Sequence, residues 1–191
     1  MSFCRLWPCG LVIALLVLLA QGPAAAAGRS HVYLMRGIFN VSVGLDALAV
    51  ELRRLGVESS VYGHAESGAV ASEAIRDYKS GRVRSIILIG HSLGGGGVLS
   101  VADSLNSAGV PVALLISLES SSSGPVTANV RRAVNFYIAG SGATVTAGPG
   151  FHGSLQNIDV GRIPAMDHMA VQSMPLMHSR MIGLVSAARG G

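Results

Sequence analysis

Ser92 lies in Gly90-His91-Ser92-Leu93-Gly94-Gly95, a serine set between glycines directly after the apolar run Ile86-Ile87-Leu88-Ile89. A serine hydroxyl is a poor nucleophile near neutral pH. It becomes a useful one when a histidine takes its proton and a third, acidic group holds that histidine. The order nucleophile, acid, base along a chain asks for a histidine downstream of Ser92. His152, His168 and His178 meet that condition. His168 is the first choice, because it follows the last expected strand and precedes the last expected helix. His152 sits in a glycine-rich loop and could line a pocket. His178 falls inside the final helix, opposite much of its apolar stripe. His31 and His64 precede the serine, and His91, inside the turn, reads as a packing or supporting residue.

The acid has three candidates. Glu119 closes the strand after the Ser92 helix, where its carboxylate would emerge on the same edge as the serine. Asp159 lies on the last strand with its direction open. Asp167 adjoins His168, which makes contact with that imidazole awkward within one short stretch. Glu119 is preferred and Asp159 is the alternative. Acyl chemistry also needs backbone N–H donors for the developing oxyanion. Leu93, directly after the serine, is one. Ile38, in the loop Arg36-Gly37-Ile38-Phe39 after the first strand, is the other. Phe39 could instead be plain core. Two other readings compete for the serine segment. A glycine-rich turn could merely pack a helix closely on a sheet, and a phosphate cradle is conceivable, although the Lys-Ser/Thr pair of a Walker loop is missing.

The elements that must carry these residues alternate. Strands are expected at 31–35, 59–62, 83–89, 112–118, 134–138 and 155–160. Helices are expected where Leu45, Leu48, Ala49 and Leu52, then Val70, Ala71, Ala74 and Ile75, then Val98, Val101, Ala102 and Leu105 recur at helical spacing. The final helix should span 174–187, with Met177, Met181, Leu184 and Val185 inward. Residues 129–132 suggest a short helical turn, and 140–153 a loop. Continuous apolar strands joined through helices imply a doubly wound, mostly parallel α/β sheet of about six strands, in one domain. Chemistry then collects at the carboxyl ends of the strands, where Ser92 stands.

The chain has 191 residues, 50% hydrophobic and 13% charged, with a net charge of +4. That composition excludes disorder. Arg53-Arg54 and Arg131-Arg132 are isolated pairs, so no basic stripe for nucleic acid exists. Arg5, the apolar run 11–20 and the small residues Ala24-Ala25-Ala26-Ala27 read as a cleaved export signal over residues 1–27. The run is about half the roughly 20 residues a membrane anchor needs, so no stable anchor is expected after cleavage. Residues 28–191 would form the mature domain, secreted or periplasmic. Cleavage would remove Cys4 and Cys9, leaving no thiol for a disulfide or a cysteine-based metal site.

Ile87-Leu88-Ile89-Gly90-His91-Ser92-Leu93-Gly94-Gly95 resembles the strand, elbow and helix signature of the α/β-hydrolase superfamily, in particular its small lipase-like and thioesterase-like members. Leu34-Met35-Arg36-Gly37 and Asp167-His168 extend the resemblance over nearly all of the mature chain. It implies acyl transfer through a covalent acyl-serine, without metal or cofactor, and some thioesterase-like members carry their acid after the strand where Glu119 sits. The chain is shorter than that family, lacking its first antiparallel strands and any large lid, and it has Glu where Asp is commoner. The expected function is hydrolysis of a small-molecule acyl ester by an exported serine hydrolase. A thioester, or a non-catalytic binding role on the same fold, is the alternative.

Overall fold

A computed structural model describes Met1 and residues 29–189. Residues 2–28, where the export signal is expected, lie outside them. The strand before the serine, β3 (Ser85–His91), is the centre of the molecule, and Ile86, Ile87, Leu88 and Ile89 are all fully buried. Alternate side chains of a strand point to opposite faces, so four consecutive buried residues require cover on both sides. The cover is two helical layers. On one face α2 (Ser67–Lys79) and α3 (Leu93–Ser107) pack Val70, Ala74, Val98, Val101 and Leu105 against Ile86 and Leu88. On the other, α1 (Gly44–Arg54) and α4 (Pro175–Arg189) pack Leu45, Leu48, Leu52, Met177 and Met181 against Ile87 and Ile89.

The remaining strands are β1 (Ser30–Met35), β2 (Glu58–Tyr62), β4 (Leu114–Leu118), β6 (Arg132–Tyr137) and β8 (Ser154–Asp159). All six strands run parallel in the order β2-β1-β3-β4-β6-β8. The sheet reverses its winding between β1 and β3, so helices fall on both faces as the sequence predicts. Two short strands, β5 (Pro125–Val126) and β7 (Thr146–Ala147), pair in a separate ribbon that ties together two loops at the carboxyl end.

Two local expectations fail. Residues 129–132 form no helical turn: a tight turn at Ala128 and Asn129 is closed by the Val130 N–H on the Thr127 carbonyl at 3.1 Å, Val130 bridges to Val112 beside the sheet, and β6 starts at Arg132 after a bend at Arg131. The Asn129 side chain explains this, since its amide donates to the carbonyls of Ala102 and Val110 and fixes the chain in a turn. His178 does not face solvent from α4. It is buried, bonded through Nδ1 to Glu51 and through Nε2 to the Gln172 carbonyl, and it joins α4 to α1. Among the described residues no helix is long and apolar enough to cross a membrane.

Candidate active site

Ser92 sits between β3 and α3 with φ 57° and ψ −120°, a strained backbone for a residue with a Cβ. Its neighbours make the turn possible. A Cβ at Gly90 would run into the Gly94 backbone, and one at Gly94 into the carbonyls of Met35 and Arg36. Only glycine lets helix and strand close so tightly. The Ser92 N–H donates to the Leu118 carbonyl at 3.0 Å, linking the turn to the end of β4.

The next residue after β4 is Glu119, also in the left-handed region at φ 43° and almost fully buried. Its carboxylate accepts hydrogen bonds from the Ile138 N–H and, at 2.9 Å, from the Ser141 hydroxyl. Ile138 takes Oε1, and the Oε2 that Ser141 bonds also faces His168 Nδ1 at 3.4 Å. His168 Nε2 in turn lies 3.1 Å from Ser92 Oγ, across 76 residues of sequence. The histidine side chain is 47% exposed and the glutamate side chain 0%. The structure therefore brings Ser92, His168 and Glu119 into one line. Nδ1–H facing a carboxylate leaves the Nε2 lone pair free to accept the serine proton.

The other candidates lie elsewhere. Asp159 Oδ1 accepts from the backbone N–H groups of Gly161 and Ala139, which closes the turn after β8. Asp167 Oδ1 accepts from Met169 N–H and Ala170 N–H and starts a short 3-10 turn. His152 is exposed in the loop between β7 and β8. Leu93 N–H begins α3 and has no acceptor within the helix, so it points with the helix dipole toward the serine side. Ile38 opens the 3-10 turn Ile38–Asn40 beside Gly37, and Gly37 touches Ser92 so closely that a Cβ there would meet Ser92 Cβ at 3.0 Å. Phe39 is 82% exposed, so its reading as core is corrected. It takes a left-handed backbone (φ 52°) that turns its ring outward.

No protein-family model matches the chain, and no curated protein does. Solved structures do. Human thioesterase 2 superposes with a TM-score of 0.56 at 8% identity, covering 84% of this chain and 96% of that one. The RedJ thioesterase of the prodiginine pathway of Streptomyces coelicolor gives 0.51 at 14% identity, with 87% of each chain covered. A cutinase-like protein from Cryptococcus sp. gives 0.51 at 14% identity, covering 85% of this chain and 96% of that one. The fold is that of the α/β hydrolases. In this α/β-hydrolase fold the turns after β3 and β4 and the loop after β8 converge at the carboxyl end of the sheet.

Three further features of the site had weak sequence signals. Ser141 and Gly142 form the seat of Glu119: a Cβ on Gly142 would strike the Glu119 carboxylate. His91 is buried against His168, ring centroids 4.7 Å apart, and burial holds its imidazole down at about 4. Its Nδ1 lies 2.7 Å from the buried Ser42 hydroxyl and its Nε2 2.7 Å from the His168 carbonyl oxygen. The apolar side chains Ile38, Phe39, Val41, Val43, Leu93 and Met169 are exposed on the segments that carry the site. From Leu93 a groove of about 640 Å³ runs along α3, lined among others by Leu99, Ser100, Asp103, Ser122 and Thr127.

Proposed function

We propose that this protein is an exported serine hydrolase that cleaves a neutral carboxylic ester through an acyl-serine. The observation that carries the reading is the aligned Ser92, His168 and Glu119, with 3.1 Å and 3.4 Å between successive groups. The second contact is loose for a hydrogen bond, as is common before substrate draws a site together. Ser92 Oγ attacks the ester carbonyl carbon while His168 Nε2 takes its proton. The imidazolium so formed is stabilised by Glu119. The carbonyl oxygen, now an oxyanion, receives the Leu93 and Ile38 N–H groups. Collapse expels the alcohol, which leaves with the proton from His168. Water then attacks the acyl-serine by the same route, giving the acid and free Ser92. No step calls on a metal or cofactor.

The exposed apolar rim supports a neutral acyl group at the serine. Export, expected from residues 1–27, favours esters over the carrier-bound thioesters of the cytosol, although two of the three solved structures named above are thioesterases. Labelling with a fluorophosphonate probe tests the reading. Wild type should label and Ser92→Ala should not, and a chromogenic ester and thioester panel of varied chain length should show turnover abolished by His168→Ala and kept by His152→Ala. An unlabelled, inactive wild type sinks the proposal and leaves a binding role on the fold.

A further inference from the structure

Building on the hydrolase reading, we infer that His91 and Ser42 form a clamp that holds the oxyanion loop and the His168 loop in register. The polarity of the contacts sets the protons. A carbonyl oxygen can only accept, so the His91 Nε2 contact to the His168 oxygen requires Nε2–H. A neutral imidazole then has a bare Nδ1, which accepts the Ser42 hydroxyl proton. The Ser42 oxygen is left to accept the Gly37 N–H at 2.9 Å. The proton order is therefore Gly37 N–H to Ser42 Oγ–H to His91 Nδ1, then His91 Nε2–H to the His168 carbonyl. Each donor and acceptor in the series is used once.

The two ends of the series matter. Gly37 precedes Ile38, and the loop beyond it contains Phe39 and Asn40, both at positive φ. Such a loop relaxes unless something pins it. The pin is Ser42, fully buried, gripping Gly37 five residues back along its own loop. At the other end, His168 sits on a loop whose side chain is half in solvent. Its ring must stay within reach of both Ser92 and Glu119, and His91 holds its backbone. His91 is adjacent to the nucleophile, yet its hydrogen bonds go to the Ser42 hydroxyl and the His168 carbonyl oxygen and not to Ser92 Oγ or the His168 ring nitrogens. It is a positioning residue, acting through the Gly37 loop and through His168.

The two arms separate by substitution. In His91→Gln the amide nitrogen reaches the Nε2 position and still donates to His168, while the Nδ1 arm is lost. In His91→Asn the amide sits at the Nδ1 position and keeps the Ser42 arm only. Ser42→Ala should lower kcat about thirtyfold with KM within about threefold, since the oxyanion donor is misplaced only when charge develops. Added to His91→Gln, Ser42→Ala should cost less than about threefold more. Added to His91→Asn, it should cost its full thirtyfold. Equal effects in the two backgrounds overturn the clamp.

Two readings on the folded protein are independent of any substrate. Nitrogen NMR of the His91 ring at pH 7 should find the Nε2–H tautomer, and the Gly37 amide should be protected from hydrogen exchange in wild type and lose protection in Ser42→Ala. A Nδ1–H tautomer, or an unprotected Gly37 amide in wild type, overturns the clamp even in an active enzyme. An inactive wild type with both signals present keeps the clamp and rejects the hydrolase reading.

Discussion

Replacing Glu119 by Gln removes one negative charge from the middle of the site and keeps its shape. Two unit charges 3.4 Å apart attract by about 5 kcal/mol at an effective dielectric of about 20. Because 47% of the His168 side chain meets solvent, screening leaves roughly half, about 2.5 kcal/mol, for the transition-state imidazolium. That is ~70-fold in rate. A second effect adds to it. The Gln oxygen will accept the Ile138 N–H, as the carboxylate does, which turns its amide N–H groups toward Ser141 and His168. Donation to His168 Nδ1 selects the Nε2–H tautomer, which cannot take the serine proton. The expected fall in kcat is therefore roughly 10²- to 10³-fold, with KM within about threefold. The assay is hydrolysis of a short-chain nitrophenyl ester at pH 8, beside circular dichroism melting as a control for folding. A kcat within about threefold of wild type in a folded Glu119→Gln protein refutes the assignment of the acid. Asp159→Asn, whose carboxylate serves two turn N–H groups, should keep activity.

Gly142→Ala should act on the same group from outside. The added methyl displaces the Glu119 carboxylate from its seat, so kcat is expected to fall by at least tenfold while overpacking costs about 1–3 kcal/mol, both readable in one kinetic and melting series. Stability should also fall with acid. Burial lowers the His91 pKa to about 4 from 6.5, so the unfolded chain takes up a proton that the folded one refuses as pH drops through that window. The contribution is complete above about pH 6.5 and is lost by about pH 4, at most about 3 kcal/mol. His31, lowered by burial and by Arg82, shifts in the same sense. Urea unfolding at pH 7 and pH 4.5 should show the loss, and it should shrink in His91→Gln. An equal loss in both proteins would remove His91 as its source.

Much of the architecture could be read from apolar runs, because a parallel sheet covered on both faces writes itself as consecutive buried residues such as Ile86 to Ile89. The positions of Ser92, Glu119 and His168 followed from the same reading, since each stands after a strand. What escaped was set by single polar contacts. The Asn129 side chain bonds to Ala102 and Val110 and cancels a helical turn that local composition favours. His178 is paired with Glu51, a contact 127 residues apart that no helical wheel contains. Ser42 and Ser141 are ordinary serines in ordinary loops, and their use becomes visible only when distant segments meet. The core alternative for Phe39 came from its aromatic side chain alone, and a left-handed backbone at φ 52° leaves that side chain exposed.

The strand β8 lies at the edge of the sheet, with only Leu155 and Ile158 half-buried along it. After it in the chain come His168, whose side chain is half in solvent, and α4, which packs back over the centre through Met177 and Met181. The nucleophile and the acid, by contrast, belong to the two strands at the heart of the sheet. A site divided in this way is expected to open in two steps, with the outer strand and the His168 loop yielding at a smaller free-energy cost than the centre. Turnover should therefore cease at a lower temperature than the loss of the far-ultraviolet signal, and return on cooling without refolding of the core.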